Sequence, residues 1–497
     1  MRLFGILWFL IGCLSASGQI TQEQTRAAVE ELSDLIALPN FGLHKKDIEA
    51  NLAWAEEAFR RRDFRTQRLE TSGNALLYAE LPHKVSAPTV LFYFHLDGQA
   101  VDATRWEQAD PYRAVVKRRE GAEWQEVSNA EMATGFDPDW RIFGRSASDD
   151  KGPIVGFLHG LDALRARNES PRYNIKVILD TEEELGSKPL AAAVRNYRDL
   201  LAADALLIHD GPQHLSGEPT IVYGCRGITT LNLTIYGPGI PQHSGHYGNY
   251  APNPIFRMAK LLSSMKDDRG RVLIEGYYDG IELNEATQTL LSSVPDDTTA
   301  IHRLLQINEP ERVGRNYQEA LQYPSLNARG IASGYVGAQA RTIVPDLATV
   351  AIDIRLVPES NADLLIAAIR KHIEEQGYHI VDHEPTLEER LVHPKLLFLY
   401  AGGVTAPFRT AMSEPVGEWV SGQMQETFGR QPVRIRMMGG TVPIAAFINE
   451  LSIPAVIVPM VNPDNNQHSP DENLRIGHLQ YSIELFEALF ASMPRLR

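Results

Sequence analysis

The opening of the chain, Thr21 to Arg62, repeats its apolar positions with a helical period and is broken at Pro39-Asn40. Beyond it the pattern changes to short apolar runs, Thr89 to Phe94, Ile175 to Leu179, Ala205 to Ile208 and Pro454 to Val458. Runs of that length, apolar on both faces and closed by polar residues, predict buried strands. Helical patterns lie between them, over Pro153 to Arg167 and Leu190 to Leu201. Strands alternating with helices predict an α/β class domain with a largely parallel sheet flanked by helices. The middle of the chain differs. Gly227 to Tyr236 alternates as an edge-type strand, Asn253 to Met265 reads as a helix, Ala348 to Val357 alternates again, and Asn361 to Gln376 is helical. This grouping predicts a smaller α+β domain over residues 227–384, inserted into a larger one made of 19–226 and 385–497. Lys266 to Asn316 is polar and loop-rich with some helix, and the pattern assigns it no place.

A length of 497 residues suits two or three domains, in keeping with that division. The net charge of −15 argues against a nucleic-acid partner, because binding a phosphate backbone needs a basic surface. The first residues read separately. Arg2, an apolar run from Leu3 to Leu14 and the small residues Ser15-Ala16-Ser17-Gly18 predict a secretory signal peptide over 1–18, and hence export. The run is too short to span a bilayer as a helix, and no other segment is suited to it. Leu10-Ile11-Gly12-Cys13 also resembles a bacterial lipoprotein box, but Cys13 lies early for lipidation, so cleavage after Ser17 or Gly18 is the expectation. Cys225 is the only other cysteine, which leaves the processed chain without an internal disulfide.

Candidate chemistry falls where the strands end. The first run leads into His95-Leu96-Asp97, the second into Asp180-Thr181-Glu182-Glu183-Glu184, the third into His209-Asp210-Gly211, and the last into a loop holding His468. Open α/β sheets place their sites at the carboxyl ends of strands, so these residues can converge. A loop entering a helix, Gly144 to Pro153, adds Asp149 and Asp150. Each has a plain reading alone: an exposed histidine, a charged helix start, a cap. Together, imidazole and carboxylate at several strand ends fit a zinc-like site.

The strings Phe94-His95-Leu96-Asp97, Gly144 to Pro153, Glu183-Glu184-Leu185-Gly186-Ser187, Gln242-His243-Ser244-Gly245, Arg355-Leu356-Val357-Pro358, Gly439-Gly440-Thr441-Val442-Pro443 and His468 resemble, in that order, the M20 metallopeptidase family. The likeness is to its carnosinase-like dipeptidase branch and runs from about Thr21 to the C-terminus. It implies two divalent ions, zinc by preference with manganese or cobalt as alternatives, bridged by Asp149. His95 and Asp210 would complete one ion, Glu184 and His468 the other, and Glu183 would be the general base. A metal pair about 3.5–4 Å apart acidifies a shared water and polarises a carbonyl. Asp97, two residues from His95 on an extended chain, would fix the orientation of that imidazole.

The resemblance further implies that the inserted domain is a lid that also mediates homodimerisation. His243 would reach the neighbouring subunit's site and help to stabilise the oxyanion. Thr342 and Arg355 would bind the substrate backbone or carboxylate, and Gly440 and Thr441 would line the substrate turn. Met437 and Met438 stand where relatives often carry polar residues, Gly211-Pro212 where many carry an aromatic, and Leu185 where a small residue is common. These departures bear on substrate choice. The expected reaction is amide hydrolysis in a dipeptide or small peptide with a free carboxylate. The alternatives are an N-acyl amino acid hydrolase with the same metals and a catalytically silent binding protein on the same scaffold.

Overall fold

The computed structural model describes residues 20–496, so the expected leader and Cys13 lie outside the described residues. Two helices, Gln22–Ile36 and Lys45–Arg60, flank the break at Pro39-Asn40. The first begins with a capping box at Thr21 and Gln24, which satisfies otherwise unpaired amides at its start. The large sheet orders its eight described strands as Arg65–Leu69, Leu76–Leu81, Asn174–Asp180, Thr89–His95, Ala205–Ile208, Ala455–Ile457, Thr220–Val222 and Val433–Ile435. Its centre is parallel: Thr89–His95 pairs in parallel with Asn174–Asp180 and Ala205–Ile208, which in turn is parallel to Ala455–Ile457. One end of the sheet is antiparallel; towards the other, Thr220–Val222 runs antiparallel to Ala455–Ile457 and parallel to the last strand, Val433–Ile435.

One face of this sheet is covered by the helices Lys151–Ala166 and Ile476–Ala491, with an aromatic core of Phe92, Phe94, Phe157, Phe486 and Phe490. His209 belongs to that core. Its ring stacks on Phe92 and Phe94 and meets Phe486 at 4.7 Å, and burial pushes its pKa down to about 3. It is a neutral core histidine, although it sits in a strand-end string. Cys225 is also buried, as a free thiol pushed up to about 12 by burial.

A four-stranded antiparallel sheet stands beside the large one: Asn473–Arg475, Arg141–Phe143, Val115–Glu120 and Glu123–Glu126. Phe143 pairs with Asn473, so the chain leaving one strand and the chain entering the other meet at the same end. That register brings the Asp149 loop next to the loop of His468, across more than three hundred residues of sequence.

The middle of the chain forms a five-stranded sheet in the order Asn327–Ala332, Leu347–Leu356, Gly227–Tyr236, Leu396–Ala401 and His379–Val381. Its apolar face is covered by the helices Pro254–Met265 and Ala362–Glu375. The structure differs from the sequence reading in two respects. Gly227–Tyr236 is central, paired on both sides, and not an edge; its alternation reports a sheet with only one face buried. The strand Leu396–Ala401, beyond the expected return point at 385, pairs with Gly227–Tyr236, so the small sheet reaches further along the chain.

Candidate metal centre and substrate cleft

Parallel pairing aligns the strand ends. His95 is opposite Asp180, and Tyr93 is opposite Ile208, so His95, the Glu183–Leu185 turn and Asp210 leave the sheet together. His95 Nε2 lies 2.8 Å from Asp149 Oδ1, and His468 Nε2 lies 3.0 Å from Asp149 Oδ2 and 3.2 Å from Glu184 Oε2. Two ligand clusters result, His95–Asp149–Asp210 and Asp149–Glu184–His468. In each, all donor atoms fall within 4.8 Å of one another, and Asp149 belongs to both.

Charge is crowded here. Burial, with Asp149 adding to it, pushes Glu184 up to about 7 and Asp210 up to about 6. Burial and then the charge of Asp210 drive Glu183 well above the ordinary carboxylate range. Asp149 goes the other way: burial opposes its charge, but hydrogen bonds with His468 and His95 prevail and hold it low. The bond to Asp149 raises His468 to about 9. Carboxyls that resist ionisation beside imidazoles that hold protons are arranged as cations would relieve them. The donor set, imidazole nitrogen with carboxylate oxygen, fits divalent ions of the zinc type.

Several residues position these donors. His95 Nδ1 meets the backbone carbonyl of Asp97 at 3.1 Å, while the nearer carboxylate oxygen is 3.6 Å away. The Asp97 carboxylate instead accepts the amides of Glu183 and Glu184, each at 3.0 Å. It therefore holds the turn of the acids as well as bordering His95. Leu185 fits this turn because Gly42 faces it; a Cβ there would stand 2.9 Å from Leu185 Cδ1. Glu472 has no exposure and accepts the amides of Ser146, Ser148 and Asp149 at 2.8, 3.0 and 3.0 Å, the Ser148 hydroxyl, and the Arg145 guanidinium at 2.7 Å. It shapes the loop that presents Asp149. Sequence reasoning missed it, and the available signal was an acid four residues after His468, indistinguishable there from a surface group. Gln99 Nε2 donates to Glu184 at 2.7 Å and Gln467 Nε2 to Asp149 at 3.2 Å, and neither was anticipated.

A cavity of about 700 Å³ opens from this cluster. Asp149, Glu183, Asp210 and His468 line one part of it, and Arg355, Gly440 and Thr441 another. Arg355 Nη1 donates to Thr441 Oγ1 at 2.6 Å, which joins the small domain to the large one across the cleft. Met438 lines the same wall, its Cε 3.1 Å from where a Cβ of Gly440 would be. His243 and Thr342 are placed elsewhere. Both are exposed, on and beside a two-stranded ribbon of Gln242–His243 and Ile343–Val344, and neither lines the cavity. His243 Nδ1 accepts the Gly245 amide and its ring faces His246.

An α/β domain with two ligand clusters sharing one carboxylate, beside a cleft with an arginine, is the framework of a metallohydrolase. The profile of Peptidase family M20/M25/M40 matches residues 91–492, and the chain belongs to that family. It is 26% identical over 433 residues to a human Beta-Ala-His dipeptidase, covering 85% of this chain and 78% of the relative. It is 24% identical over 409 residues to a Cys-Gly metallodipeptidase of Schizosaccharomyces pombe, covering 81% and 79%. Among solved structures, an M20 family metallo-carboxypeptidase of Sulfolobus solfataricus superposes with a TM-score of 0.75 at 26% identity, covering 95% of this chain and 99% of the other. This protein is thus an M20-type metallopeptidase.

Proposed function

We propose that the protein is an exported, dinuclear metallodipeptidase that hydrolyses the amide bond of small peptides bearing a free carboxylate. The observation that carries this reading is the sharing of Asp149 by two ligand clusters in a cleft that also holds Glu183 and Arg355. His95, Asp149 and Asp210 would hold one ion, and Asp149, Glu184 and His468 the other, with zinc preferred and manganese or cobalt compatible. Bound divalent ions would acidify a coordinated water and polarise the scissile carbonyl. Glu183 would take the proton of the attacking water on a carboxylate oxygen and pass it to the leaving amine nitrogen. Arg355 suits the substrate carboxylate, since a guanidinium can offer it two parallel hydrogen bonds. Gly440 and Thr441 border the same space, and the absence of a side chain at Gly440 permits close approach of the substrate backbone.

His243 and Thr342 are proposed to act from a second copy of the chain. Their exposure, away from the cleft of their own chain, supports a homodimer in which His243 supplies a hydrogen-bond donor to the developing oxyanion. Export rests on the Arg2, Leu3–Leu14 and Ser15–Gly18 pattern alone. No helix among the described residues is long and apolar enough to cross a membrane.

The test is release of free amino acids from a dipeptide panel by wild type and Glu183→Ala. The reading requires release that chelation stops, that added zinc or manganese restores, and that the variant lacks. Hydrolysis of acylated amino acids in place of every dipeptide would overturn the dipeptidase assignment. Binding without turnover of either class would return the chain to a silent scaffold.

A further inference from the structure

The segment that the sequence left unplaced forms one wall of the cleft. Its helix Thr298–Leu305 sends Ile301, Leu304 and Leu305 into the cavity, facing Leu321, Met438 and Val442. Leu304 is 69% exposed and Leu305 58%, an arrangement that leaves bulky aliphatic groups against water unless something apolar covers them. The wall is fastened, not loose. Asp297 caps the helix by accepting the Ala300 amide. Its neighbour Asp296 is bound from both sides, by His214 Nε2 at 3.0 Å and Gln318 Nε2 at 2.9 Å. His214 Nδ1 accepts the Ser216 amide, so the proton is on Nε2 and points at Asp296. His214 follows the metal-side strand Ala205–Ile208 by a few residues, so the pin ties the wall to the large domain.

Among the described residues that line the cavity, Arg355 is the only lysine or arginine. One substrate carboxylate therefore has a matched partner. The volume, about 700 Å³, lies within the range of pockets that enclose drug-sized ligands, so it does not require small side chains.

We propose that the preferred substrates are dipeptides carrying a large aliphatic side chain, which packs on Ile301, Leu304 and Leu305. This deepens the dipeptidase reading and rests on it. The experiment measures kcat/KM of the metal-loaded protein on Ala-Leu, Leu-Ala, Ala-Ala, Ala-Asp and β-Ala-His, for wild type and for the double variant Leu304→Gln, Leu305→Gln. Wild type should favour one or both leucyl peptides over Ala-Ala by tenfold or more, since a few methylenes in an apolar pocket discriminate by about 10–200-fold. In the variant that ratio should collapse by about tenfold. Both substitutions are on an exposed helical face and glutamine is a good helix former, and the wild-type ranking is a test independent of the variant's folding. Turnover of several dipeptides without a leucyl preference, or a ratio unmoved by the variant, would overturn the inference and leave the dipeptidase reading in place. No turnover of any dipeptide would overturn both.

Discussion

His95 and His243 are both histidines that the resemblance assigns to the reaction, and the fold treats them oppositely. His95 has no exposure, is set by parallel strands on each side, and is bounded by Asp97 and Asp149. His243 is exposed on a two-stranded ribbon, and among the described residues its only ring hydrogen bond is to the Gly245 amide two residues away. A buried residue at a strand end is positioned by its own domain. An exposed residue on a ribbon has no such support from its own domain. The metal half of the proposed site is complete within one chain; the lid half, in the proposed reading, is completed by a second.

The hardest way to break that comparison is at Glu183. Replacing it with glutamine should lower kcat by about 10³-fold while two ions per chain remain bound, measured by turnover beside metal analysis. His243→Ala should cost about 10²-fold in kcat, the size expected for one oxyanion donor. The sharper experiment mixes the two impaired proteins under subunit exchange. If His243 acts across subunits, mixed dimers hold one intact site and activity returns to a fraction of wild type; no recovery despite exchange would place His243 within its own subunit or outside the reaction. Glu472→Gln should weaken metal binding by about 10–100-fold, as expected for a group that orients a ligand, with kcat at saturating metal changed much less. Competition with a chelator would measure it.

The smallest effect on turnover is expected on the far side of the large domain. Glu31 is bound by His159, on the helix that follows Asp150, and by Arg62. Burial opposes its charge, yet the bonds from His159 and Arg62 prevail and lower its pKa from 4.5 to about 2. Because the folded pKa lies below the unfolded one, this stabilisation is fully present above pH 4.5 and disappears as the pH falls towards 2. A shift of that size corresponds to about 3 kcal/mol. Glu31→Gln should therefore flatten the fall in unfolding free energy over that interval, read by denaturant titration at each pH.

What the sequence made legible follows from the same contrast. The metal-side strands announced themselves because runs such as Thr89 to Phe94 are apolar on both faces and stop abruptly at His95. Placement of Asp149 beside His468 was not legible in that way, since it depends on the register of Phe143 with Asn473 in a sheet whose strands are only three residues long. The cavity wall was hidden for a different reason. Ile301, Leu304 and Leu305 keep the i, i+3, i+4 spacing of an amphipathic helix, but no residue of Thr298–Leu305 is buried, and the spacing alone does not say that a cleft and not a core receives that face. Alternation in Gly227–Tyr236 suggests an edge strand, whereas it reports one-sided burial of a central one, because the pattern of one strand does not record how many neighbours it has.

The bond pair at Asp97 has a mechanical consequence. One carboxylate grips two consecutive amides, those of Glu183 and Glu184, and the same residue's carbonyl touches His95. Thermal displacement of that carboxylate carries the proposed base and the proposed ligand in the same direction. The separation of the two backbone positions is then a stiff coordinate even where their absolute position is soft, and jitter in the scaffold reaches both acids as common-mode motion of the turn that carries them.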